Sequence, residues 1–586
     1  MKKLNYGLIV IGIIGVAGAL LVSPGLATRY LSSDRHLTAQ GLRSLRFYRM
    51  LALGGGLGAL VLGVTAMLSG RTPEQVVVDL GPHLHPVLLG GLAAVTRFYE
   101  VDAKSLWYDE LISVVVARGS LPTVIQQVSQ RPPLYDVVLH LTMGLGSSDF
   151  IVRLPPVLFG IAAVVSLYYL ARELFDTEIA VVSGLLLAVS RFHIEYSQEG
   201  RAYSLFCLLA VLSMLFFVRY TRQRRRWELV WWFLASLAVV YVHYYGAFVL
   251  LAQVVYAAGL ALAGARREAS EFDTAALAPY GLGLLAIGIL YLPWVPSLLR
   301  HTDAPMVWRE APRNGFSSHL EGVLQSYRSI VWAFSWPSSL PWSYFARLRV
   351  LTPLLALAGL VFHLIRRHWF RSLSLLGLWS GVGLISTTVA GLNLGPRYFI
   401  FVLPVYLLFV ALGLVAGRQL IQGLFSSVSD EQYYLLAVVV LQLIVAPSLN
   451  DYYYLVQKED WRGVGGYLEE HAGRGDAVLV LGGSAGQLRH YYPGDADILD
   501  ASDRHGEPAR IRDLDELRAL VASEDCVWVF VSGHANLLYE YWEPDRARVV
   551  QEVLQERMDA VEGVYGDNTD QRVGLYRSPY CTPGTD

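Results

Sequence analysis

The sequence predicts a polytopic α-helical membrane protein that ends in a small α/β domain. Three observations predict it. Hydrophobic residues make up 54% and charged residues 16% of the chain, against roughly 45–50% and about 25% in soluble domains. Long apolar runs recur from the N-terminus to Asn450, and mean hydropathy is +0.41. Beyond Asn450 the pattern changes to short buried strands alternating with charged helices. A net charge of -2 leaves no basic field that would argue for nucleic acid, and the partner this composition demands is the lipid bilayer.

A helix crossing the hydrocarbon core needs about 17 to 25 apolar residues. Runs of that kind fall near residues 4–22, 48–68, 83–99, 152–172, 177–193, 200–220, 228–243, 244–264, 277–297, 348–366, 372–391, 397–417 and 432–448, about thirteen in all. The first is read as an uncleaved helix rather than a signal peptide, since Leu26-Ala27-Thr28 matches a cleavage site poorly. The run Leu134–Leu145 is short and punctuated by Asp136 and His140, with Arg131 just before it, so it reads as an amphipathic helix lying at the interface. Leaving it out places Arg172, Arg222–Arg226, Arg266-Arg267, Arg366-Arg367 and Arg418 on one side, which the positive-inside rule makes cytoplasmic. The polar segments around Asp109, Glu199, His243 and Arg397, the long loop 298–346 and everything after 450 then fall outside. Loop 23–47, with four arginines, runs against this bias.

The expected organisation is an N-terminal extension with two spans (1–80), a membrane domain (81–450) and an extracytoplasmic α/β domain (451–586). In the last, Asp476–Gly482 and Cys526–Gly533 read as buried strands ended by glycine. Helical charge patterns lie at 461–471, 511–523 and 545–559. Gly482-Gly483-Ser484-Ala485-Gly486 lacks the spacing of a dinucleotide fingerprint or a P-loop and reads as a strand-to-helix turn. The three cysteines have no metal-site spacing. Cys207 lies inside an apolar run, while a Cys526–Cys581 bridge is compatible with an exported C-terminal domain.

Acids are costly beside lipid, so those at the ends of apolar runs call for explanation. Trp107-Tyr108-Asp109-Glu110 places two carboxylates together. Capping the helix that starts at Leu111 would account for one of them, whereas a partly desolvated carboxylate at an outer cavity could take a proton from a hydroxyl. Asp109 is the preferred base, and Glu110 a second acid that acts directly or tunes it. Arg131, before Pro132-Pro133, either snorkels to lipid headgroups or binds a phosphate near a helix N-terminus. Glu199 and Arg201, with Tyr196 and Tyr203 beside them, form either an internal ion pair or part of a sugar site. His243-Tyr244 and Arg397 sit at similar depth, Arg397 as a second phosphate partner.

At these residues the chain resembles the GT-C superfamily of integral-membrane glycosyltransferases, on the branch of protein O-mannosyltransferases and lipid A aminoarabinose transferases. The resemblance is densest over about 84–265. It rests on the order of Ser105-Leu106-Trp107-Tyr108-Asp109-Glu110, Pro132-Pro133-Leu134-Tyr135, Arg153-Leu154-Pro155-Pro156 and Tyr196–Ser204. Pro396-Arg397-Tyr398 and Lys458–Arg462 look like later family segments.

The resemblance implies inverting transfer of a sugar from a polyprenyl-phosphate donor to a hydroxyl acceptor at the outer face. Asp109 would be the general base, assisted by Glu110, and Glu199 would orient sugar or acceptor. Arg131, Arg201 and Arg397 would hold the donor phosphate, and Tyr108, Tyr135, Tyr196, His243 and Tyr244 would line the sugar and acceptor site. Some relatives carry an acid that helps hold a metal where this chain has Gln130, so a divalent metal stays an open question and no metal ligand is assigned. The rival class is a multi-spanning transporter or flippase for an anionic or lipid-linked substrate; the gathering of charge at one face and the lack of a midplane acid pair count against it.

Overall fold

A computed structural model describes residues 81–127, 132–265, 277–296, 315–337, 348–366, 369–389, 395–455, 458–481, 485–500, 514–522, 526–531, 554, 556–561 and 574–581. The N-terminal extension, Arg131 and most of the expected helix at 545–559 lie outside them.

Helix α1 (Gly81–Phe98) leads to a loop and to a cluster of short helices, α2 (Tyr108–Ala117), α3 (Leu121–Gln127) and α4 (Leu134–Met143). At about 1.5 Å per residue, α4 is far too short to cross a bilayer, and its Tyr135, Asp136 and Leu139 face inward. Next come α5 (Asp149–Leu174), α6 (Thr177–Ala188), α7 (Arg191–Ser197), α8 (Tyr203–Gln223), α9 (Arg226–Val242), α10 (Gly246–Ala265) and α11 (Leu277–Tyr291). Then follow α12 (Gly315–Phe334), α13 (Leu351–Ile365), α14 (Phe370–Val389), α15 (Leu403–Leu424) and α16 (Asp430–Asn450).

The expected apolar runs that fall within the described residues lie largely on these helices, and the protein is a multi-pass membrane protein. The described residues nevertheless fall short of thirteen spans. Six helices are long and apolar enough to cross a membrane, or seven if α6 and α7 count as one bent span, and the others are shorter. The loop expected at 298–346 contains α12, which an apolar-run criterion misses because polar residues such as Glu321, Gln325 and Arg328 interrupt it.

The bend between α6 and α7, 59°, departs from the straight span expected over 177–193. Ser190 caps the new helix, its hydroxyl accepting from the His193 N–H at 3.4 Å. The buried Arg97 guanidinium takes the carbonyls that α6 leaves open, donating to Leu187 O at 3.0 Å and Ala188 O at 2.9 Å. It also reaches His193 Nδ1 at 2.8 Å, tying both halves of the bend to α1. Elsewhere, α13 and α15 touch backbone to backbone. A Cβ on Gly359 would lie 2.3 Å from Gly413 N, and one on Gly413 would lie 2.0 Å from Leu355 O, so only glycine permits this approach.

After α16 a π-helical turn, Asp451–Leu455, turns the chain into the C-terminal α/β region. It holds α17 (Trp461–His471), β1 (Ala477–Leu481), α18 (Ala485–Leu488), β2 (Asp497–Asp500), α19 (Leu514–Ala522), β3 (Val527–Val531), β4 (Asp559–Ala560) and β5 (Gly574–Arg577). The sheet order is β2-β1-β3-β5-β4. The two strands visible in the sequence are its parallel centre, with Ala477 opposite Val527. β2 extends the parallel part, whereas β5 pairs antiparallel with β3 and β4. Cys526 and Cys581 form a disulfide, and Cys207 is free and buried.

Candidate functional site

Asp109 and Glu110 occupy the first turn of α2. Successive helical residues point about 100° apart, and the two carboxylates enter different surroundings. Glu110 is fully buried. Arg153 grips it with both sides of its fork, Nε to Oε1 at 2.9 Å and Nη2 to Oε2 at 2.8 Å. Lys458 Nζ donates to Oε2 at 3.0 Å, Gly200 N–H to Oε1 at 2.8 Å and Trp107 N–H to Oε2 at 3.2 Å. A Cβ on Gly200 would lie 2.7 Å from Val152 Cγ1, so glycine is what lets this N–H reach the acid. Burial alone would raise the Glu110 carboxyl, but Arg153 and Lys458 outweigh it and hold it down at about 2. Enclosed by these donors among the described residues, Glu110 is placed to hold the loop together, a structural part rather than the direct one expected for it.

Arg153 carries the organisation further. Its Nη1 donates to the carbonyls of Val101 (2.8 Å) and Lys104 (2.7 Å), and its Nη2 to that of Ser105 (2.9 Å). The loop that delivers Trp107–Glu110 is therefore wound around one buried guanidinium.

Asp109 is 18% exposed. Its Oδ2 faces Arg397 Nη1 at 3.2 Å and Arg201 Nη2 at 3.8 Å. Arg201 Nη1 is anchored by the Asp109 carbonyl and Ser113 Oγ, both at 3.1 Å. Among the described residues Oδ1 has no hydrogen-bond donor. Arg201 thus pairs with Asp109, and the ion pair with Glu199 that the sequence left open is not the one formed. Arg397 lies on the 3-10 turn Pro396–Val402 and stacks over Tyr398 at 5.2 Å.

Glu199 lies between α7 and α8, buried, with Oε1 3.5 Å from Lys458 Nζ. Burial pushes its carboxyl up to about 7; Lys458 pulls the other way and Glu110 adds repulsion. His243 stacks on Phe206 at 4.8 Å and accepts from the Tyr245 N–H through Nδ1 at 3.1 Å. Burial, reinforced by Arg201, drives it down to about 3, so it is a neutral imidazole. Tyr196 packs on Tyr203 at 5.0 Å, and Tyr203 faces Tyr398 at 6.4 Å. Tyr203 is buried, whereas Tyr196, Tyr398 and Tyr244 are half-buried. Tyr108 and Tyr135 are buried in the core.

The sequence reading brought Asp109, Arg201, Arg397 and Glu199 to one place but assigned no part to Arg153 or Lys458. Both stood in quoted motifs, yet their pairing with Glu110 spans 43 and 348 residues and leaves no local pattern. Among the described residues no group of three or more His, Cys, Asp or Glu side chains is placed to hold a metal ion.

A helical bundle that brings Asp109, Arg201 and Arg397 together defines a multi-pass membrane protein with a polar site. Residues 130–294 match the family described as dolichyl-phosphate-mannose-protein mannosyltransferase. ArnT from Cupriavidus metallidurans in the apo state aligns with a TM-score of 0.54 at 14% identity, covering 85% of this chain and 99% of that one. The same protein bound to undecaprenyl phosphate aligns at 0.51 and 17% identity over 85% and 99% of the two chains. The Archaeoglobus fulgidus oligosaccharyltransferase tethered with an acceptor peptide containing the NVT sequon gives 0.50 and 11% identity over 84% and 74%. No curated protein matches the chain by sequence. The fold of the chain is thus similar to that of ArnT.

Proposed function

We propose that the protein is a membrane glycosyltransferase that moves a sugar from a polyprenyl-phosphate donor to a hydroxyl acceptor at the extracytoplasmic face. The observation that carries this reading is the partly exposed Asp109 carboxylate, with Oδ2 held by two guanidiniums and Oδ1 without a hydrogen-bond donor among the described residues. Likeness to a protein solved with undecaprenyl phosphate supports the donor class, and the family matched over 130–294 supports the reaction class.

In this mechanism Oδ1 accepts the proton of the acceptor hydroxyl as its oxygen attacks the anomeric carbon. The bond from that carbon to the phosphate oxygen breaks, its electron pair leaves with polyprenyl phosphate, and the configuration inverts. Arg201 and Arg397 stand ready for the charge that grows on the phosphate, exchanging Asp109 Oδ2 for phosphate oxygens as the donor enters. Arg131, outside the described residues, would share this phosphate-binding role, as the sequence resemblance implies. The Cys526–Cys581 bridge suits a C-terminal region facing an oxidising compartment, in keeping with the short basic loops assigned to the other side.

The test is mass analysis of lipid-linked sugars and glycoconjugates in cells with and without the gene. Loss of the gene should leave an unused polyprenyl-phosphate sugar accumulating and one modification missing. Transfer by the purified protein from a nucleotide sugar alone would overturn the mechanism.

A further inference from the structure

Lys458 stands where the chain leaves the membrane bundle for the α/β region, and it is only 12% exposed. Its ammonium sits between two buried acids, 3.0 Å from Glu110 Oε2 and 3.5 Å from Glu199 Oε1. Glu110 has Arg153 as a second cation, whereas Glu199 has no other ion-pair partner among the described residues. Glu199 Oε2 is buried and has no hydrogen-bond partner among them either. A carboxylate oxygen enclosed without a donor costs free energy unless a donor reaches it.

The segment that carries Lys458 is fastened to the loop holding Asp109. Ser105 Oγ donates to Asp460 Oδ1 at 3.1 Å, and Arg462 donates to the Asp102 carbonyl at 2.9 Å. Tyr491 OH accepts from the Leu106 N–H at 2.8 Å and donates to Asp149 Oδ2 at 2.7 Å. Gln487 reaches the Tyr108 carbonyl at 3.2 Å. The α/β region thus grips residues 102–108 from several points, and Lys458 is the part of that grip that enters the site.

We propose that Lys458 is a positioning residue that supplies the counter-charge to the buried Glu199 carboxylate and leaves its Oε2 to accept from a hydroxyl of the sugar or acceptor, so that docking of the α/β region becomes a condition of transfer. This rests on the glycosyltransferase reading. The groups facing Glu199 are Lys458, Asp109 and Glu110 from α2, Glu195 and Tyr196 from α7, and Tyr452 from the π-helical turn. Three of them are acids and Lys458 is the cation among them. Removing Lys458 therefore raises the Glu199 carboxyl, and a function that needs Glu199 ionised is lost at a higher pH than before.

The experiment uses the full chain in lipid nanodiscs and follows the protonated-carboxyl infrared band that disappears in Glu199→Gln. In Lys458→Gln its titration midpoint should rise by about 1 unit or more, and the acid limb of kcat/KM should move up with it. Lys458→Arg should restore both. An unchanged midpoint in folded Lys458→Gln would overturn the proposal. If Lys458→Gln does not fold, Lys458→Arg decides: a midpoint near that of the unsubstituted protein supports the role, and a rise of about 1 unit overturns it. The band is read without any sugar transfer. A shift in a chain that transfers no sugar would overturn the glycosyltransferase reading alone, whereas transfer with an unshifted Glu199 would overturn the role of Lys458 alone.

Discussion

The open and closed sides of the first turn of α2 differ in what they allow a carboxylate to do. On the closed side, Glu110 is enclosed by Arg153, Lys458 and two backbone N–H groups, and it anchors a loop. On the open side, Asp109 is partly exposed, with one oxygen held by arginines and the other without a hydrogen-bond donor among the described residues. Neighbouring residues of one type have been given separate work through access and through the number of donors, not through chemical identity. Acids in such a site are therefore sorted by their surroundings.

The contrast can be broken most sharply at Asp109. Asp109→Asn removes the proton acceptor but keeps the shape, and transfer should fall by about 10²–10⁴-fold with thermal stability near that of the unsubstituted protein. Glu110→Gln should do the reverse in kind. It leaves Arg153 and Lys458 short of their counter-charge in a buried place, a loss of about 3–5 kcal/mol, visible as a lower unfolding midpoint and poor recovery from detergent. The folded Glu110 carboxyl lies below the ordinary value of 4.5. Its stabilisation is therefore present above that value and is lost as pH falls toward about 2. The penalty of Glu110→Gln should accordingly be steady near neutrality and shrink in acid. Glu110→Gln with wild-type stability but no transfer would erase the distinction.

Arg397→Ala sharpens the comparison from the cation side. It removes one of the two guanidiniums on Asp109 and should lower transfer by roughly 10²-fold. Arg397→Lys should recover only part of it, because an ammonium offers no planar fork to a phosphate. The smallest effect on transfer belongs to the Cys526–Cys581 bridge, remote from the acids in the sheet of the α/β region. Reduction should cost that region about 2–4 kcal/mol, read by limited proteolysis, while transfer changes little as long as Lys458 stays docked.

Much of the bundle could be read from apolar runs alone, because residues facing lipid must be apolar over a fixed length. The exceptions are physical. The bend at Val189–Ser190 lies inside a run that stays hydrophobic on both sides, and only Ser190 before Arg191 hints at a new N-terminus. The buried strands β1 and β3 stood out as apolar segments, whereas β2, with Asp497 and Asp500 at its ends, did not. In the candidate site, adjacency in sequence revealed the pair of acids, but not which one faces out. That depends on the first turn of α2 and on Arg153 and Lys458 arriving from elsewhere in the chain.

The most direct test replaces the gene with the Asp109→Asn form and measures polyprenyl-phosphate sugar against free polyprenyl phosphate in cells where the variant is present and folded. The account predicts that the sugar-bearing lipid accumulates as in the gene deletion. A lipid ratio equal to that of cells carrying the unsubstituted protein would contradict it.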